Sequence, residues 1–214
     1  PEAEKLIDSA DFTITSFDWS PDGSMIVINH QPDPLINSSL RSDISILYPA
    51  TGKIAPLVAN KGSDRFIDWS PDSKSVLYTS DVDNTTSNYY MNSRYFRIDT
   101  DGKNNKELGK DFDENLSGMT WTDKGIYATA YQKTLRPLFL MNPTNGKVVE
   151  ILDEPSRIFG LSISKDDGTI AYLGAGDNSL REIYLTNPDK NKVVRLTDFT
   201  GQIENWKYSI PEVI

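Results

Sequence analysis

The sequence predicts an all-β fold, a β-propeller of four four-stranded antiparallel blades. Three observations point there. An aromatic string ending in a tight turn recurs every 42 to 52 residues. A second turn string recurs once between successive copies of the first. No segment shows convincing helical periodicity.

The first string is Phe17-Asp18-Trp19-Ser20-Pro21-Asp22-Gly23, and it returns as Ile67-Asp68-Trp69-Ser70-Pro71-Asp72-Ser73. A degraded copy is Met119-Thr120-Trp121-Thr122-Asp123-Lys124-Gly125. A fourth is Leu161-Ser162-Ile163-Ser164-Lys165-Asp166-Asp167-Gly168, with Ile163 in the tryptophan place. Searching for such periods first decides architecture. Ser-Pro-Asp-Gly is a type I turn signature, because Pro presets the second position and Gly suits the fourth. The tryptophans hold one repeat position, so they are expected to be blade-core residues rather than a carbohydrate-stacking set.

The second string is Tyr48-Pro49-Ala50-Thr51-Gly52-Lys53, then Ile98-Asp99-Thr100-Asp101-Gly102-Lys103. It continues as Asn142-Pro143-Thr144-Asn145-Gly146-Lys147 and Asn187-Pro188-Asp189-Lys190-Asn191-Lys192. Its penultimate residue is Gly or Asn, the types that tolerate a positive φ. Short β-type runs join the two turns. Second strands are expected at 25–28, 75–78, 125–128 and 169–172; third strands at 43–47, 95–98, 138–140 and 182–185. Fourth strands are expected at 53–58, 106–108, 147–151 and 192–196. With the Trp-bearing run each unit has four strands, the blade of a propeller. A plain β-sandwich is the rival, but it leaves the fixed order of two repeating turns unexplained.

Glu2 to Asp8 matches Lys147 to Asp153, so residues 1–10 are expected to be the outer strand of a preceding, truncated blade. Blades are expected at 11–60, 61–110, 111–155 and 156–201, with an exit segment at 202–214. Propellers close with about four to eight blades, and the expectation is part of a larger ring. An open part-ring exposes strand edges and apolar faces, so self-association is expected of the fragment.

Composition narrows the function classes. The net charge of −9 argues against nucleic-acid binding, which needs clustered Lys and Arg. No apolar run approaches the roughly 20 residues of a spanning helix, so no membrane partner is expected. The 214 residues contain no cysteine and one histidine, which leaves no thiolate or multi-histidine metal site; no metal or cofactor is expected. Pro1-Glu2-Ala3-Glu4 does not read as a signal peptide, and the expectation is that the sequence starts within a longer one.

Few residues qualify as catalytic candidates, and none is assigned a catalytic role. His30 would need a serine and an orienting carboxylate to act as a general base; a strand-end surface histidine is the simpler reading. Asp81-Val82-Asp83-Asn84 and Asp111-Phe112-Asp113-Glu114-Asn115 begin like calcium loops but lack the Gly and Glu that such loops require. Asn37-Ser38-Ser39, Asn84-Thr85-Thr86 and Asn115-Leu116-Ser117 match the glycosylation sequon, as chance allows in an Asn-rich sequence. The second connections are long in two blades, Asn29 to Ser42 and Ser80 to Arg94, the latter with Tyr89-Tyr90-Met91. Loops carry function more often than scaffolds, so this face is a candidate contact surface, with tolerated insertions as the alternative.

The Trp-Ser-Pro-Asp-Gly blades resemble those of prolyl oligopeptidase family serine peptidases, especially the acylaminoacyl-peptidase-like branch. The signature is WD-like, and TolB-like propellers share it. Ser93-Arg94-Tyr95-Phe96 is similar to that branch too. So are Val194-Arg195-Leu196-Thr197-Asp198-Phe199, Glu204-Asn205-Trp206-Lys207 and Ile210-Pro211-Glu212-Val213-Ile214, which look like the exit from a last blade. The resemblance implies a non-catalytic propeller that gates peptide substrates and docks an α/β-hydrolase domain of the same parent protein. That domain would follow Ile214 and carry a Ser-Asp-His triad, with the serine on a G-x-S-x-G elbow. Gly160-Leu161-Ser162-Ile163-Ser164 is the nearest string here and lacks the second glycine. The paired-Glu motif of dipeptidyl-peptidase-like members is not recognisable. The alternative is a stand-alone TolB-like scaffold recruiting protein partners. A periplasmic or secreted setting is favoured over the cytoplasm.

Overall fold

The structure, a computed structural model, describes residues 5, 7, 11–82, 84–86, 90–187, 192–207 and 209. Sixteen strands among them form four separate four-stranded antiparallel sheets, each a meander in sequence order. Sheet 1 holds β1 (Thr13–Trp19), β2 (Ile26–Gln31), β3 (Asp43–Tyr48) and β4 (Lys53–Val58). Sheet 2 holds β5 (Asp64–Trp69), β6 (Ser75–Ser80), β7 (Tyr95–Asp99) and β8 (Lys106–Leu108). Sheet 3 holds β9 (Ser117–Thr122), β10 (Gly125–Thr129), β11 (Leu138–Met141) and β12 (Val148–Leu152). Sheet 4 holds β13 (Arg157–Ile163), β14 (Ile170–Ala175), β15 (Glu182–Asn187) and β16 (Lys192–Arg195). These are the blades of a β-propeller. The protein divides into two compact units: 1–113 with 121–124 and 143–147, then 114–120 with 125–142 and 148–214.

The repeated turns fold as their chemistry dictates. Gly23 N–H donates to Ser20 O at 2.8 Å, and Ser73 N–H to Ser70 O at 2.9 Å. The serine hydroxyls donate to Asp22 and Asp72 at 2.7 Å and accept the N–H of Met25 and Ser75. Gly23 adopts φ +71°, and Ser73 takes the same left-handed state at +61° without the freedom of glycine. The Ser73 hydroxyl accepts the Asp22 N–H at 3.0 Å, tying the turn of sheet 2 to that of sheet 1. Two short 3-10 helices, η1 (Ile36–Arg41) and η2 (Thr200–Ile203), are not predicted by the sequence pattern, because one or two turns leave no readable period.

Packing explains the repeat position of the tryptophans. In the first unit Trp69 is 3% exposed and packs with Val76, Tyr78 and Ile98 of its own sheet on Val27, Ile44, Ile46 and Val58 of sheet 1. Trp121 is half-buried; Arg97 of sheet 2 lies over its ring at 5.9 Å, and its backbone N–H donates to Asp68 at 2.7 Å. Each of these two tryptophans thus leans on the sheet before it. Trp19, 49% exposed beside Phe17 at 68%, departs from the blade-core expectation. The described residues provide no earlier sheet for it to lean on. The outer face of sheet 1 buries Ile26, Ile28 and Leu47 under Ile7 and Phe12. The second unit has its own core, where Tyr127 and Leu138 meet Ile158, Ile170 and Tyr172.

The expected outer strand at Glu2–Asp8 lies largely outside the described residues, as do the turn at 188–191 and the segment 210–214.

Candidate functional site

In each meander the second connection and the start of the first strand share one end of the sheet. The first unit gathers its unusual chemistry there. Between β2 and β3 the backbone makes a polar-pinned excursion through η1. Asp33 accepts the Leu35 N–H and the Ser38 hydroxyl, and the Gln31 amide donates to the carbonyls of Asp33 and Leu35. The bonds from Ser38 and Leu35 hold the Asp33 carboxyl below its ordinary pKa. Between β6 and β7, Gly62 N–H donates to Val82 O at 2.7 Å, so this connection is seated on the link between sheets 1 and 2. A pocket of about 250 Å³ opens here, lined by Ser80, Asp81, Val82, Asn84, Met91, Asn92 and Arg94. Arg94 is held against Glu107 at 2.8 and 2.9 Å. Tyr89 and Asp83 of this loop lie outside the described residues.

Asp64, at the head of β5, belongs to none of the sequence motifs. It lies five residues before its tryptophan, where the other repeats place Ile14, Leu116 and Ile158. Its side chain is fully buried. Oδ1 accepts from Asn60 at 2.8 Å, while Oδ2 meets no hydrogen-bond donor. Burial pushes the carboxyl up to about 6. The signal that finds it is a comparison of repeat positions rather than of motifs.

His30 is half-buried near the end of β2, stacked on Phe12 at 4.2 Å, with Nε2 2.9 Å from Ser45 Oγ. Burial lowers its pKa against the opposing pull of Asp43. A serine beside a histidine near an aspartate has the contacts of a nucleophile and its base. It lacks the access, since Ser45 is 3% exposed in β3, paired to Ile28 on one side and Pro56 on the other. Ser162 is exposed but lies within β13, paired with Ala171, so its Gly-x-Ser string is plain strand and not a strand-to-helix elbow. No group of three or more metal-ligating side chains occurs among the described residues. Asp113 instead accepts from Asn92 at 3.0 Å.

In the second unit the exit from the last strand is built around Glu182, at the head of β15. One fully buried carboxylate accepts four hydrogen bonds, from the Thr197 and Thr200 hydroxyls and the Phe199 and Thr200 N–H groups, at 2.5–2.9 Å. Burial works to raise its pKa, but these bonds outweigh it and hold it at about 2. Four donors on one carboxylate pin the segment from Thr197 to Thr200, the first residue of η2. A pocket of about 390 Å³ opens between the outer strands, where Leu138, Ile151 and Leu152 meet Tyr184, Lys192 and Arg195.

No protein-family model matches the chain, and no curated protein matches its sequence. Solved structures do match its fold. TolB from Acinetobacter baumannii is 21% identical with a TM-score of 0.60, over 90% of this chain and 45% of that one. Acylaminoacyl peptidase from Pyrococcus horikoshii is 19% identical with a TM-score of 0.69, over 90% and 28%. Oligogalacturonate lyase from Vibrio parahaemolyticus is 14% identical with a TM-score of 0.69, over 91% and 57%. The chain spans about half or less of these proteins, and likeness at such identities concerns the fold alone: it is the β-propeller fold that this chain shares with a TolB, a peptidase and a lyase.

Proposed function

We propose that the chain is the propeller part of a prolyl-oligopeptidase-family serine peptidase, which admits peptide substrates and docks an α/β-hydrolase domain of the same parent. The Glu182 clamp carries the reading. A connection to a further domain must leave the last sheet in a set direction, and four charge-assisted hydrogen bonds give residues 197–200 that order. The exit leaves from the same end of its sheet as the second connections, where a docked domain or a peptide would meet loops rather than tight turns. The likeness to acylaminoacyl peptidase and the Trp-Ser-Pro-Asp-Gly signature support the same reading.

The exposed Phe17 and Trp19 support a larger ring, with a further blade covering them. A second reading, a TolB-like scaffold recruiting protein partners, draws on the likeness to TolB. The parent reading frame separates the two. A hydrolase domain with a G-x-S-x-G elbow within a few residues of Ile214 is the result expected. A stop codon there, with protein partners captured through the propeller, would replace the first reading by the second. A peptidase assay on the 214-residue protein alone is expected to show no turnover under either.

A further inference from the structure

Six of the eight arginines, Arg41, Arg65, Arg94, Arg136, Arg157 and Arg181, stand at the second-connection ends of their sheets. In the second unit two of them share one aromatic ring. The Arg136 guanidinium lies 4.8 Å from the centre of Phe159 and 5.2 Å from that of Tyr131. The Arg181 guanidinium lies 4.5 Å from the same Phe159 ring. Arg136 is positioned on every side. Its Nη2 donates to Ser117 Oγ at 2.8 Å, its backbone N–H to Ser156 O, and its carbonyl accepts from Ile158.

The acids nearby are already engaged. Asp177 pairs with Arg157 at 2.9 Å, and Glu182, next to Arg181 in sequence, is saturated by the exit segment. Neither Arg136 nor Arg181 has an acidic partner among the described residues, in a sequence with 31 acids and 22 bases. Arg136 Nε is enclosed with no acceptor at all. Two guanidinium groups held on one ring repel each other, and no acid offsets their charge. The arrangement becomes favourable when an anion is added. A guanidinium fork matches a planar carboxylate in two parallel hydrogen bonds, and side chains already ordered by stacking lose little entropy on binding.

We propose that Arg136, Arg181 and Phe159 form a receptor for a peptide carboxylate, either a C-terminal carboxylate or an acidic side chain. The residues lie at the end of the sheets where the first reading places a docked domain or a peptide, but the inference rests on their own contacts and on neither reading. The test titrates the 214-residue protein with N-acetyl-Ala-Ala-Ala-Glu bearing a free C-terminus. Calorimetry compares it with its fully amidated Gln counterpart and with inorganic phosphate. The acidic peptide is expected to bind about tenfold or more tighter than the amide, with affinity falling as salt rises. Arg136→Met and Arg181→Met are each expected to weaken it about tenfold, while Lys165→Met, at the opposite end of sheet 4, leaves it unchanged. Arg181 is exposed, so its variant keeps the fold and decides the matter should Arg136→Met prove unstable. Equal binding of acid and amide, wild-type affinity in Arg181→Met, or no binding of the acidic peptide overturns the proposal. Phosphate binding as tightly as the peptide overturns it too, since that marks simple anion attraction.

Discussion

Replacing Asp64 with Asn is expected to stabilise the protein at neutral pH and to do nothing in acid. The carboxyl titrates at about 6 when folded, against an ordinary value of 3.8. A raised carboxylate pKa means that the folded state binds its proton more tightly. The stability linked to it is therefore whole below about pH 4, falls between about pH 4 and 6, and stays low above. A difference of about 2 between the folded and ordinary values corresponds to about 3 kcal/mol at most. Local relaxation around the ionised carboxylate reduces this to about 1–2 kcal/mol. For a protein of this size, that is a rise of about 2–8 °C in Tm at about pH 7.5. Asp64→Leu, which restores the apolar character of the other repeats, is the companion variant. The assay is thermal unfolding of the three proteins at about pH 3.5 and 7.5. An Asn variant no more stable at the higher pH, or a difference of equal size at both, refutes the reasoning.

Trp69→Ala removes a buried anchor between sheets 1 and 2 and is expected to cost about 3–5 kcal/mol; Trp19→Ala, on an uncovered face, about 0.5 kcal/mol or less. Urea unfolding measures both. Gly62→Ala places a methyl carbon 2.8 Å from the carbonyl oxygens of Val82 and Asn84, so a loss of about 1–3 kcal/mol and faster proteolysis within 81–94 are expected. Glu182→Gln is expected to speed hydrogen exchange at Phe199 and Thr200 while the strands of sheet 4 stay protected. The wild-type clamp works above about pH 4.5 and weakens as pH falls toward about 2, because its folded pKa is depressed; unchanged exchange on acidification would contradict it.

The scaffold was legible because each level of the sequence agreed with the next. Ser20-Pro21-Asp22-Gly23 and Ser70-Pro71-Asp72-Ser73 form local turns whose hydrogen bonds need only nearby residues. The β-type runs between turns bury their apolar positions on one neighbour. β4 and β8 fall at the residues expected, and the others differ by a few positions at their ends. What was not legible depends on partners distant in sequence. Asp64 reads as one polar residue among many until the register sets it beside Ser80 in a dry interior. Glu182 looks like an ordinary strand-head acid until residues 197–200 turn back onto it. Arg136 and Arg181, 45 positions apart, meet only because sheets 3 and 4 bring both to Phe159. Trp19 shows the converse, since the motif that buries Trp69 says nothing about whether a preceding sheet is there to receive it.

The most direct test of the central claim uses the parent protein and a biotinylated phosphonate that labels activated serines. Peptide mapping of the labelled protein is expected to place the adduct on a single serine C-terminal to Ile214, with none on Ser45, Ser162 or any other serine of these 214 residues. An adduct within this sequence, or a parent with no labelled serine, would contradict a propeller that serves a separate hydrolase domain.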